Sequence, residues 1–288
     1  MPKRETKRIA RLIDAAVEIL DAERPMTLRQ LFYRLVSTGI IENDRNHYQM
    51  MSRVMTKARD DGRCDFDAIV DRSRPEYCRD AFADAAAYLK AVARSYHKDY
   101  WQLQSWYCEV WVEKDAIVGC IEDTTNDLGV KVRVGRGFQS TTRAHEIAEY
   151  FDTLDDRKQI RIYYLGDHDP SGRMIEDDLR RRIEHYTSKD FTLRRLAIFR
   201  EDIEAFNLPP LRVKHSDSRA RGFVAEHGGE CVELDALPPA ELRLRVRDAI
   251  EALIDRKLWD RAVRVETAEL ASIRDTLNRW PGTAHSTR

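Results

Sequence analysis

No run in the 288-residue chain approaches the ~18 consecutive apolar residues of a membrane span. The opening Met1-Pro2-Lys3-Arg4 leads straight into a charged helical pattern, so a cytoplasmic protein is expected. Five cysteines (Cys64, Cys78, Cys108, Cys120, Cys231) include no C-x-x-C pair, which fits neither a disulfide framework nor structural zinc. There is no G-x-x-x-x-G-K-[S/T] loop, so any ATP-driven step would need a separate ATPase subunit. Neither sign of charge dominates: 49 Lys and Arg face 50 Asp and Glu. Net charge therefore neither suggests nor excludes a polyanionic partner.

What is present is 42% hydrophobic residues, enough to bury a real core, in a chain longer than one average domain, so two domains are expected. The amino end is the basic end, with thirteen basic against nine acidic side chains in residues 1–63. There Ile9, Leu12, Ile13, Ala16, Val17 and Leu20 recur at helical spacing. Thr27-Leu28-Arg29-Gln30 has the form of a capping box and opens a second helix that Gly39 stops. A third helix is expected over 47–60, closed by Gly62, with Tyr48, Met51, Val54, Met55 and Ala58 inward. Alternation over 64–70 suggests a short strand. Three helices and a wing make a winged helix-turn-helix, CAP-like DNA-binding domain over residues 1–74. Arg29, Arg53, Lys57 and Arg59 are its candidate DNA contacts, and solvation of a helix face is the alternative for each. At ~100° per residue, Tyr33 falls roughly 130° from the apolar stripe of Leu28, Phe32 and Leu35. It is expected outside the core, either as a surface tyrosine or as a phenol served by Arg29 one turn away.

A linker helix is expected over 75–98, then a domain over 99–280 and a frayed tail over 281–288. Strand patterns at 107–112, 130–134, 160–165 and 192–199 alternate with helices at about 114–128, 141–154 and 170–186. That order predicts an α/β fold, a Rossmannoid parallel sheet with helices on both faces, whose ligands bind beyond the carboxyl ends of the strands. Acids stand at those ends: Glu113 after the first strand, Asp167 and Asp169 after the third. Three crowded carboxylates repel unless a cation joins them, and all-oxygen ligation suits Mg²⁺ or Mn²⁺ rather than zinc. Such an ion polarises phosphoryl oxygens, so phosphodiester cleavage is the natural chemistry. For Asp169 alone, helix capping ahead of Pro170 is a sufficient explanation, and His168 reads as a bystander. Val232, Leu234 and Leu237 suggest a strand completing the sheet, with Glu233 and Asp235 as outer ligands in the alternative.

Glu113-Lys-Asp-Ala, then Gly135-Arg-Gly-Phe-Gln-Ser-Thr-Thr-Arg143, then Asp167-x-Asp169-Pro-x-Gly172 resembles the Toprim domain of topoisomerases and related nucleases. The D-P-x-G form is similar to the topoisomerase VI A subunit and its meiotic double-strand-break relatives, and the short chain is most like their compact Mini-A members. In Leu28-Arg29-Gln30-Leu31-Phe32-Tyr33, Tyr33 occupies the place of that family's nucleophile. The resemblance spans about residues 20–200 and implies double-stranded DNA as substrate, catalytic roles for Tyr33, Glu113, Asp167 and Asp169, and Mg²⁺ on the three acids. It also implies a homodimer in which one protomer's tyrosine meets the other's metal site. Three functions follow as expectations: transesterification through a 5′-phosphotyrosyl link, hydrolysis with Tyr33 structural, or non-catalytic DNA-binding regulation.

Overall fold

The computed structural model describes residues 3–70, 81–135, 141–213 and 219–279. Cys78, residues 136–140, the start of the expected linker helix, residues 214–218 and the tail lie outside the described residues.

Three helices open the chain: α1 (Lys3–Glu23), α2 (Leu28–Ser37) and α3 (Arg45–Asp60). The capping box of α2 forms as expected, with Gln30 N–H donating to Thr27 Oγ1 (3.1 Å) and Thr27 N–H to Gln30 Oε1 (2.8 Å). Asp44 caps α3 two residues earlier than the apolar pattern suggests, accepting from the backbones of Asn46 and His47. The strand expected over 64–70 does not form. Asp65 caps a short 3-10 turn at Phe66–Ala68, and only Ile69 makes a single parallel bridge, to Met26. The linker helix α4 (Ala85–Ser95) is also shorter than expected, because Asp84 in extended conformation accepts from Ala87 N–H and starts it there.

The second half holds a four-stranded parallel sheet, β1 (Trp106–Val112), β2 (Lys131–Val134), β3 (Gln159–Leu165) and β4 (Phe191–Ala197), in the order β2-β1-β3-β4. The strand and helix order matches the sequence expectation. The crossovers are α5 (Asp115–Asp127), α6 (Thr141–Asp152) and α7 (Pro170–Tyr186). Side chains alternate between the faces. Trp111, Ile160, Ile162 and Tyr164 pack with Ala144, Ile147 and Phe151 of α6 and Leu179 and Ile183 of α7. Val110, Val112, Tyr163 and Leu165 face the other way, toward α5 and α10 (Pro239–Glu251). This second core continues without a break into Leu12, Leu20, Leu31, Phe32 and Met55 of the amino-terminal helices. The first three helices thus share the core on that side of the sheet, with α2 against the Leu234–Ala236 turn and Gln30 against Cys120 of α5. Between β4 and α10 lie α8 (Glu201–Ala205), the β5 (Leu211–Arg212) and β6 (Glu230–Cys231) ribbon, and α9 (Ala220–His227); α11 (Arg256–Arg279) ends the described chain. No described helix is long and apolar enough to cross a membrane.

Candidate active site

The strand order reverses direction between β1 and β3: the chain leaves β1 for β2 on one side, then returns to place β3 on the other. At such a switch point the crossover helices diverge and leave a crevice beyond the strand ends. Register aligns Val112 with Leu165, and Glu113 N–H donates to Leu165 O at 2.9 Å. Glu113 and Asp167 are therefore neighbours at the mouth of that crevice. The Asp167 N–H donates to Glu113 Oε2 at 2.9 Å. Two glycines permit this approach: a Cβ on Gly166 would lie 2.9 Å from Glu113 Oε2, and one on Gly172 2.4 Å from the Asp167 carbonyl.

Asp167 is only 7% exposed. Its Oδ2 lies 2.8 Å from the Lys114 ammonium, and its Oδ1 accepts from Leu234 N–H at 2.8 Å. The lysine adjacent to Glu113 is a partner that the sequence did not suggest for Asp167. Burial pushes Glu113 up to about 7, with the nearby Asp167 adding to it and the Asp167 N–H and Lys114 opposing. Burial likewise raises Asp167, against the pull of Lys114.

The Val232–Leu237 stretch does not complete the sheet. Val232 forms one antiparallel bridge with His168, through hydrogen bonds of 2.9 and 3.1 Å, after which Leu234–Ala236 close into a 3-10 turn. His168 is thus more than a bystander: its backbone fixes this turn beside Asp167, and its buried ring stacks edge-on against Phe223. The turn delivers Glu233 and Asp235 to the Lys114 ammonium at 3.4 and 3.0 Å. Asp235 is 1% exposed, and its Oδ1 has no hydrogen-bond partner. From the other side Arg29 of α2 pairs with Glu233 and approaches Asp235 at 3.8 Å.

Tyr33 departs from expectation. It is 5% exposed and belongs to the core. The helical-wheel reading sees one apolar stripe, whereas α2 is covered on two sides: by α1 and α3, and by the Leu234–Ala236 turn of its own chain. Gln30, one turn earlier, is wholly buried and accepts from the Cys120 thiol of α5. The Tyr33 hydroxyl stands 3.4 Å from Arg29 Nη2. Burial and the Glu233 charge push it up to about 12, outweighing Arg29.

Asp169 caps α7, its Oδ1 accepting from Gly172 N–H at 2.6 Å. Among the described residues, the one set of three ligand-type side chains converging within 4.8 Å is Glu42, Asp44 and His47 at the start of α3. Glu113, Asp167 and Asp169 are not drawn that close, and the Arg8 guanidinium 3.2 Å from His47 Nε2 opposes a cation at the α3 set. The strand-end donors nevertheless suit a hard divalent ion in their chemistry. They are oxygens only, Glu113 is held in a state that a nearby positive charge would relieve, and Asp235 keeps a buried oxygen without a donor. Glu113 and Asp167 would hold such an ion, while Asp169 has one oxygen committed to its helix.

A cleft of about 720 Å³ joins these groups to the amino-terminal helices. Glu113, Lys114, Asp167, Glu233 and Asp235 line one wall, and Arg29 with Tyr48, Ser52, Thr56 and Arg59 of α3 line the other. Arg59 stacks 4.3 Å above the Phe66 ring. Arg53 and Lys57 are exposed on α3 away from this wall, Lys57 pairing with Asp61 at 3.2 Å. Comparison with protein-family models, curated proteins and solved structures returns no significant match.

Proposed function

We propose that the chain is a Mg²⁺-dependent DNA-cleaving enzyme built from a three-helix DNA-binding region, akin to a winged helix without a stranded wing, and a Toprim-like sheet, Mn²⁺ serving in place of Mg²⁺. The observation that carries this reading is the pairing of Glu113 and Asp167 at the switch point, inside a cleft whose opposite, helical wall carries Arg29 and Arg59. A hard divalent ion supplies polarisation of a phosphoryl oxygen and stabilisation of the leaving alkoxide. Glu113, with a value near neutrality, is suited to hold or release a proton at the attacking or leaving oxygen. Arg29 offers a planar cation to the phosphate, and the exposed Arg53 and Lys57 bind the flanking backbone.

Two nucleophiles compete in this reading. The resemblance to topoisomerase VI A subunits supports attack by Tyr33, giving a 5′-phosphotyrosyl link and, in a homodimer, double-strand breaks. Hydrolysis by water is favoured by a specific observation: the Tyr33 hydroxyl is packed between Arg29 and its own chain's acidic turn and is held protonated. For Tyr33 to act, α2 would have to lift from the Leu234–Ala236 turn. Incubation with supercoiled plasmid and Mg²⁺ or Mn²⁺, followed by denaturation, separates the two. Protein joined to 5′ ends and lost in Tyr33→Phe establishes transesterification; free ends cut equally well by Tyr33→Phe establish hydrolysis. Tight DNA binding without cutting in any metal overturns the enzymatic reading in favour of a regulator.

A further inference from the structure

Lys114 occupies an unusual place. Its ammonium touches Asp167 (2.8 Å), Asp235 (3.0 Å) and Glu233 (3.4 Å), three carboxylates from two separate segments. Burial alone would make a lysine easier to deprotonate, yet these acids outweigh it and hold Lys114 charged. Asp235 has its second oxygen buried and unpartnered, so the cluster carries more acceptor capacity than one ammonium uses. Asp167 is also one of the two strand-end acids suited to a divalent ion.

We propose that Lys114 is a built-in cation that holds Asp167, Glu233 and Asp235 together before a divalent ion arrives, and that ion binding displaces its ammonium into the cleft. The freed ammonium then faces the substrate phosphate from the Glu113 side, opposite Arg29. Lys114 is in this sense a positioning residue that becomes a phosphate contact. The inference rests on the metal-dependent reading above, but it does not depend on DNA being cut. An ammonium and a divalent ion that share Asp167 repel each other, so removing the lysine charge must strengthen ion binding even as it loosens the turn. A lysine with a structural role alone would have the opposite effect.

The test is Mn²⁺ binding to the full chain without DNA, followed by electron paramagnetic resonance. Lys114→Met is expected to bind Mn²⁺ about tenfold more tightly than wild type, an order set by one unit charge a few ångströms away in a partly solvated cleft. Lys114→Arg, which keeps the charge, is expected to stay within about twofold of wild type. Equal or weaker binding by a folded Lys114→Met overturns the inference and leaves metal-dependent cleavage standing. Absence of Mn²⁺ binding in wild type and variants overturns both. Should Lys114→Met not fold, the wild-type protein still decides: acylation of Lys114 by an amine reagent, read by mass spectrometry, should accelerate when Mg²⁺ is added. An unchanged or slower rate overturns the displacement.

Discussion

Two pairs of carboxylates meet at the cleft, and they are held there by different physics. Glu113 and Asp167 extend neighbouring parallel strands, so the sheet register that aligns Val112 with Leu165 fixes their spacing before any side chain interacts. Glu233 and Asp235 belong to a 3-10 turn beyond the carboxyl end of β3, joined to the strand-end segment by the His168–Val232 bridge and by the Leu234 N–H on Asp167. Their positions depend on two cations, Lys114 and Arg29, from opposite sides. Backbone ladders make the first pair a rigid platform. Ion pairs close the second pair onto the first, and under the proposed function those protein cations are what a metal ion and a phosphate would replace.

The largest expected effect comes from breaking the platform. Asp167→Ala should lower metal-dependent plasmid cleavage by about 1,000-fold or more, the scale of losing several kcal/mol of transition-state stabilisation. DNA affinity, measured by fluorescence anisotropy, should change little, since Asp167 faces the strand ends rather than the exposed basic surface. Retained cleavage would remove Asp167 from the metal site. Next comes the closure. Asp235→Asn keeps the shape but removes one of three negative partners from Lys114, and urea unfolding of the metal-free protein should report a loss of about 1–3 kcal/mol. A change within about 0.5 kcal/mol would mean that the turn is held by its bridge rather than by charge.

The pH response sharpens the same contrast. Glu113 is raised from 4.5 to about 7 in the folded chain. Between those values the native state keeps a proton that the unfolded chain has released, so this group's contribution makes metal-free stability fall as pH rises. Glu113→Gln stays neutral throughout. Its melting temperature relative to wild type should therefore climb from pH 5 to pH 7.5; a flat or falling difference would place Glu113 in a better-solvated setting than the cleft provides.

How legible each pair was follows from how it is held. Alternating apolar residues and strand lengths are local properties, so the parallel sheet and the ends where Glu113 and Asp167 stand could be read directly. The capping box at Thr27 and the start of α7 at Pro170 are equally local. Partnership across 121 positions, as between Lys114 and Asp235, leaves no periodic trace. The apolar Val232, Leu234 and Leu237 have the pattern of a strand because they are buried, yet their burial comes from a turn tucked beyond the end of β3 and against α2. A retrospective signal exists in the spacing itself: Glu233-x-Asp235 repeats the acid-x-acid pattern of Asp167-x-Asp169. Tyr33 failed for a related reason, because a helical wheel knows nothing of a second covering surface supplied from two hundred residues downstream.

The smallest effect on stability falls on Arg29, which tethers the second pair's turn to α2. Its side chain is 46% exposed, so the pair with Glu233 is screened and worth only about 0–1 kcal/mol. Arg29→Ala should therefore barely change the urea midpoint. Its consequence should appear in DNA binding instead. A guanidinium released from Glu233 to a phosphate contributes about one counterion, so the slope of log affinity against log salt should become shallower by about one in Arg29→Ala. An unchanged slope would confine Arg29 to its tether. The slope change in Glu233→Gln decides the order of events: if Glu233 competes with phosphate for Arg29, its loss should tighten DNA binding at every salt concentration while leaving the slope intact.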